Sequence, residues 1–183
     1  YTFYDSDFDE KKTLADPRFV DRGKVTAEVF NPDTRILEIN SKTGLYPLYM
    51  AYSTYRAKLA SLIVSPESVE EEWAIWREVV GENIFVICKT PMAKSITKRT
   101  LVGFRPLKVN TRYFEDLINQ IKNKPNNFIE KVAKGKSFWK AINNDNMKFN
   151  AIVGNPPYQV TTAKQETENG QKAVTNIFHY FQM

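Results

Sequence analysis

Apolar residues along this 183-residue chain fall into short continuous runs divided by longer stretches of helical period. Arg35-Ile-Leu-Glu-Ile39 predicts a first strand, introduced by the turn Asn31-Pro32-Asp33. From Gly44 to about Val64 the pattern is helical, with Pro47 in the first turn, where a proline is tolerated. A second helix is predicted from Ser65, with Pro66 at its first position, Glu67, Glu70, Glu71 and Glu72 near its positive end, and Gly81 closing it. Ile84-Phe-Val-Ile-Cys88 predicts the next buried strand, and Thr90-Pro91 starts a basic helix through Lys94, Lys98 and Arg99 to about Gly103. A brief strand near Leu107–Val109 follows, then a helix capped by Asn110 and ending near Lys124, then a helical stretch from Phe128 to Asn143 broken at Gly135. Ala151, Ile152 and Val153 predict a last buried strand; beyond it, residues 161–172 read as a long loop and Val174 to Met183 as the start of a helix. Strands separated by helices imply an α/β fold with a mostly parallel sheet flanked by helices. Tyr46, Tyr49, Tyr52 and Tyr55 recur every three residues on the first helix and are expected mostly to pack, with Tyr46 nearest the preceding turn.

Composition narrows the class. The chain is 42% hydrophobic and 26% charged, which suits one globular domain with a sizeable core. A single cysteine, Cys88, excludes an intramolecular disulfide framework and fits a reducing cytoplasm; one cysteine and one histidine also argue against a zinc site, so no metal is expected. No apolar run approaches the ~18 residues that span a bilayer, so no membrane partner is expected. Net charge is +5, a surplus compatible with nucleic acid. Lys94, Lys98, Arg99, Arg105 and Lys108 could touch phosphates, but a run of charges on a helix usually marks a solvated face, and that reading is preferred for them. Cys88 sits in a buried-type strand and His179 in an aromatic segment, and both read as packing residues.

The most informative stretch is Phe149-Asn-Ala-Ile-Val-Gly-Asn-Pro-Pro-Tyr158. Two consecutive prolines cannot donate to a ladder, so the chain must leave the sheet at Asn155. Within four residues that turn holds an amide side chain, the free carbonyl of Pro156, a stiff Pro157 and the Tyr158 ring. Ligands of open α/β sheets gather outside the carboxyl ends of the strands, where such a turn would sit. Asn155 and the Pro156 carbonyl supply two acceptors for the hydrogens of an amine, and Tyr158 supplies a face for stacking on a base.

An Asn-Pro-Pro-Tyr tetrad after a hydrophobic strand and a glycine resembles the catalytic motif of adenine-specific (N6) DNA methyltransferases of restriction-modification systems. The resemblance covers about Val25 to Tyr158. It implies a truncated Rossmann-like S-adenosylmethionine-dependent methyltransferase fold, with residues 1–24 as an N-terminal lead-in and 25–183 as part of the catalytic domain of a larger protein. It implies S-adenosylmethionine as cofactor, double-stranded DNA with a flipped adenine as partner, and Asn155, Pro156, Pro157 and Tyr158 as the catalytic residues. The family's cofactor loop matches Leu37-Glu-Ile-Asn-Ser-Lys-Thr-Gly-Leu-Tyr46. On that match Glu38, Ile39, Asn40, Thr43, Gly44 and Tyr46 border the cofactor. Glu38 takes the acid position facing the methionine ammonium, and Gly44 takes the second glycine, while Lys42 stands in place of the first. The strand ending at Cys88 offers no carboxylate for the ribose, and Lys89 and Thr90 read as the edge of a helix start; Asn110 and Asp145 read as cap and turn former rather than as adenine contacts. Two other outcomes fit the same residues: a relative acting on RNA or on protein glutamine, and a DNA-binding or assembly module that keeps the fold without activity.

Overall fold

Four strands pair in one parallel sheet in the computed structural model, which describes residues 24–142, 146–154, 160–166 and 172–175. Helix α1 (Lys24–Val29) precedes β1 (Ile36–Ser41); α2 (Leu45–Ser61) and α3 (Val69–Glu82) lead to β2 (Ile84–Cys88), and α4 (Pro91–Val102) to β3 (Asn110–Tyr113). Helices α5 (Leu117–Asn123) and α6 (Pro125–Ala133) and a 3₁₀ turn (Gly135–Ser137) then return the chain to β4 (Ala151–Gly154). The strand order is β3-β2-β1-β4. Winding therefore reverses between β1 and β4, and a right-handed connection must then cross the opposite face.

That is where the layers lie. Ile36, Ile84 and Val86 pack on Met50 of α2, Val80 of α3 and Leu101 of α4. The alternate residues Leu37, Phe85 and Ile87 pack on Ile121 of α5 and Phe128 of α6. A sheet buried on both faces explains why β1 and β2 read as continuous apolar runs. On the second face Trp139 stands edge-on to Phe85, with centroids 5.1 Å apart, and donates its indole N–H to the Val132 carbonyl at 2.9 Å. The result is the Rossmann-like α/β fold expected for the chain.

Several boundaries differ from the sequence expectation. The second helix begins at Val69, because Ser68 Oγ accepts the Glu71 N–H at 3.2 Å while Glu71 Oε2 accepts the Glu67 N–H at 2.7 Å. This reciprocal cap overrides the Ser65-Pro66 signal. Gly81 does not end that helix, which continues to Glu82 and closes on Asn83. The third strand lies at Asn110–Tyr113, not at Leu107–Val109, so Asn110 is no helix cap. Its buried side chain donates to the Gly81 carbonyl at 2.7 Å and accepts the Ala141 N–H at 2.8 Å, a brace between segments. The helix expected from Asn110 shrinks to α5, and the one expected over Phe128–Asn143 ends at Ala133, before Gly135 turns at φ 52°. Instead of a loop and a helix start, β5 (Val160–Glu166) and β6 (Lys172–Thr175) form an antiparallel pair in which Val174 faces Thr161. Ile152 is 48% exposed, because β4 is an edge of the described sheet rather than a buried strand.

The tyrosines of α2 do not share one face. A step of three falls short of a 3.6-residue turn, so the three steps from Tyr46 to Tyr55 drift halfway round the helix. Tyr46 and Tyr52 are exposed, while Tyr49 packs edge-on to Phe30 and Tyr55 edge-on to Trp76. Among the described residues no helix is long and apolar enough to cross a membrane, and no cluster of His, Cys, Asp and Glu could hold a metal ion.

Candidate cofactor and catalytic site

The carboxyl ends of β1 and β4 lie side by side, with Glu38 opposite Val153 and Ile39 opposite Gly154. Gly154 has no room for a side chain: a Cβ there would stand 2.8 Å from the Ile39 carbonyl oxygen. The residue immediately before Asn155 is thereby pressed against the end of the strand that carries Glu38. Asn155, Pro156, Pro157 and Tyr158 themselves lie outside the described residues, as do Asp145 and His179. The reversal of strand order at this point is where open α/β sheets form their ligand crevice.

Glu38 is the least ordinary residue of β1. It is 3% exposed, and its Oε2 has no hydrogen-bond partner. Burial pushes its carboxyl up to about 7, against a smaller lowering by the hydrogen bond from Ser41. Asn40 then takes a left-handed conformation (φ 72°), which asparagine tolerates, and is passed over in the pairing of β1 with β2. Pairing resumes at Ser41, whose carbonyl accepts the Lys89 N–H at 2.8 Å. Ser41 Oγ lies 3.5 Å from Thr97 Oγ1, and Cys88 donates to the same oxygen. Burial raises the Cys88 thiol to about 11, which keeps it protonated and inert, in line with a packing role.

The turn after β1 is seated on α4. Gly44 has φ 78°, and a Cβ on it would meet Thr97 Cα at 2.8 Å. Thr100 Oγ1 donates to the Thr43 carbonyl at 2.8 Å. Gly44 therefore makes its close approach to the backbone of α4. Lys42 and Thr43 are exposed, so the Lys42 charge points to solvent. Ile39 puts its side chain in the core of the α5–α6 face and reaches the site only through its carbonyl. Tyr46, 62% exposed, lines a cleft of about 290 Å³ with Phe30, Tyr49, Met50, Val153 and Gly154. Phe30, Tyr49 and Met50 were not among the expected site residues; Phe30, just before the Asn31-Pro32-Asp33 turn, is the one whose position gave a signal.

The structure thus gathers Glu38, Asn40, Gly44 and Tyr46 around one end of β1, next to the residue that precedes the tetrad. It does not bring a carboxylate to the end of β2: Thr90 caps α4 by accepting the Ala93 N–H at 3.0 Å. The donor set fits the amino-acid end of S-adenosylmethionine, since a buried carboxylate oxygen without a partner is suited to an ammonium. The ribose end has no acidic partner from β2.

Residues 82–183, more than half of the chain, match the family model described as Eco57I restriction-modification methylase. No curated protein matches the chain.

Proposed function

The chain belongs to the Eco57I restriction-modification methylase family, and we propose that it transfers a methyl group from S-adenosylmethionine to the exocyclic amine of adenine in DNA. The observation that carries this reading is the register of β1 and β4, which sets Gly154 against Ile39, one residue beyond Glu38. Gly154, the residue that precedes the tetrad in sequence, thus lies beside the strand end proposed to hold the cofactor.

The cofactor supplies an electrophilic methyl group. Glu38, ionised, would accept from its methionine ammonium, and Gly44 and Tyr46 would border it. The adenine amine is a poor nucleophile because its lone pair is delocalised into the ring. Asn155 Oδ1 and the Pro156 carbonyl each accept one amine hydrogen, which favours a tetrahedral nitrogen and stabilises the positive charge growing there. With the cofactor held there, its methyl group would be the electrophile for that nitrogen, and the two acceptors would steady the amine until it gave up one proton to solvent. Pro157 holds the turn rigid, and Tyr158 stacks on a base flipped from the duplex.

One observation favours a second reading. The missing carboxylate at the end of β2 fits a module that retains the fold and DNA contact without binding cofactor. Calorimetric titration with S-adenosylmethionine separates the two. Binding in the wild type that weakens by about 1.5–3 kcal/mol in Glu38→Gln supports the enzyme. No heat of binding in the folded wild type supports the module.

A further inference from the structure

The basic surplus of this chain is local. Residues 117–150 hold seven lysines against Glu130 and Asp145, and the remaining charges of the chain balance, so this stretch carries the whole excess of +5. The cations first suspected of touching phosphate, on and after α4, are partly engaged elsewhere. The Arg99 guanidinium lies 4.1 Å from the centroid of the Phe104 ring, and that of Arg105 lies 4.0 Å from Trp73. The salt bridges that join Lys24 to Glu28 and Lys58 to Glu78 leave Lys124, Lys131 and Lys134 outside them.

On α6 these lysines are ordered. Lys124, Asn127, Lys131 and Lys134 follow one another at steps of three and four, which lines them along one flank of the helix and its caps. All four are exposed, while Phe128 and Val132 bury the adjacent flank against the sheet. Glu130 stands about 100° from Lys131 and about 40° from Lys134, so the one acid of α6 flanks the row only at its C-terminal end. The row is about 15 Å long, at 1.5 Å per residue. That length spans about four phosphates of one DNA strand at 3.4 Å each. Its ligand groups are ammonium ions and an amide, donors suited to phosphate oxygens without regard to sequence.

We propose that the outer flank of α6, through Lys124, Asn127, Lys131 and Lys134, docks on the phosphate backbone of duplex DNA and holds it independently of base sequence. The inference rests on DNA as the substrate. It places a backbone contact on the face of the sheet opposite the Tyr46 cleft.

The test is the salt dependence of binding to a fluorescent duplex in the absence of cofactor. The variant Lys124→Gln/Lys131→Gln/Lys134→Gln should lose affinity, and its log–log salt slope should be shallower by about 2–3, near 0.9 for each lost contact. Lys94→Gln/Lys98→Gln on α4 should leave the slope unchanged. Lys131→Glu alone should weaken binding with an unchanged circular dichroism spectrum. An unchanged slope in the folded triple variant, an equal effect from the α4 pair, or no duplex binding by the wild type overturns the proposal. Because no methyl transfer is measured, failure to methylate adenine leaves this result standing, and the reverse holds as well.

Discussion

Glu38 concentrates the unusual features of β1 in one side chain. An acid within an apolar run was visible in the sequence, but its isolation was not, because burial and an unpartnered Oε2 depend on β2, β4 and the turn that covers them. The carboxyl keeps its proton to about pH 7 when folded and loses it near 4.5 when unfolded. The folded state therefore binds more protons across that window, and stability falls as pH rises from about 4.5 to about 7. Thermal unfolding of Glu38→Gln should match the wild type below that window and exceed it above, by up to about 3 kcal/mol. Parallel stability profiles would remove the buried acid. Cofactor binding has the opposite slope: an ammonium prefers the ionised form, so affinity should climb through pH 7 in the wild type and stay level in Glu38→Gln. Two glycines at the site respond to a methyl group for different reasons. Gly44→Ala forces a side chain into a left-handed turn against Thr97, and Gly154→Ala drives a Cβ into the Ile39 carbonyl. Each should lower stability by about 1–3 kcal/mol in chemical denaturation. Only Gly154→Ala should disturb methyl transfer more than cofactor affinity.

Helix starts were legible where one cap signal stood alone and misread where two competed. Thr90-Pro91 gave α4 its first residue, since Thr90 Oγ1 has no rival for the Ala93 N–H. Upstream of α3, Ser65-Pro66 and Ser68…Glu71 both qualify, and only the second satisfies donors on both sides of the cap. Ser68→Ala should therefore cost about 1 kcal/mol and Ser65→Ala almost nothing, by equilibrium denaturation. Equal losses would mean that the helix frays back to Ser65. The third strand was misplaced because Asn110 and Thr111, polar yet buried, gave no apolar run; Asn110 is accepted inside because both ends of its amide are bonded. The β5–β6 pair is mainly polar, with Lys164, Gln165 and Glu166 in one strand, so periodicity alone suggested a loop.

The order of the four strands could not be read from the chain, yet it is what brings together the two halves of the proposed site. Residues 38 and 154 are far apart in sequence, and only the reversal between β1 and β4 makes their neighbourhoods one crevice. The motifs were legible because each carries its own local geometry: a strand, a left-handed bend, a pair of prolines. The partners of Arg99 and Arg105 were not legible, since the rings of Phe104 and Trp73 meet them only in the folded chain.

Labelled methyl transfer from S-adenosylmethionine to duplex DNA, followed by digestion to nucleosides, tests the proposed chemistry most directly. The label should appear in N6-methyladenine, and Asn155→Ala should nearly abolish it while cofactor affinity stays within a few-fold, because the lost acceptor acts on charge that develops in the transition state. Label on cytosine or on protein glutamine, or an Asn155→Ala variant that still methylates adenine, would contradict it.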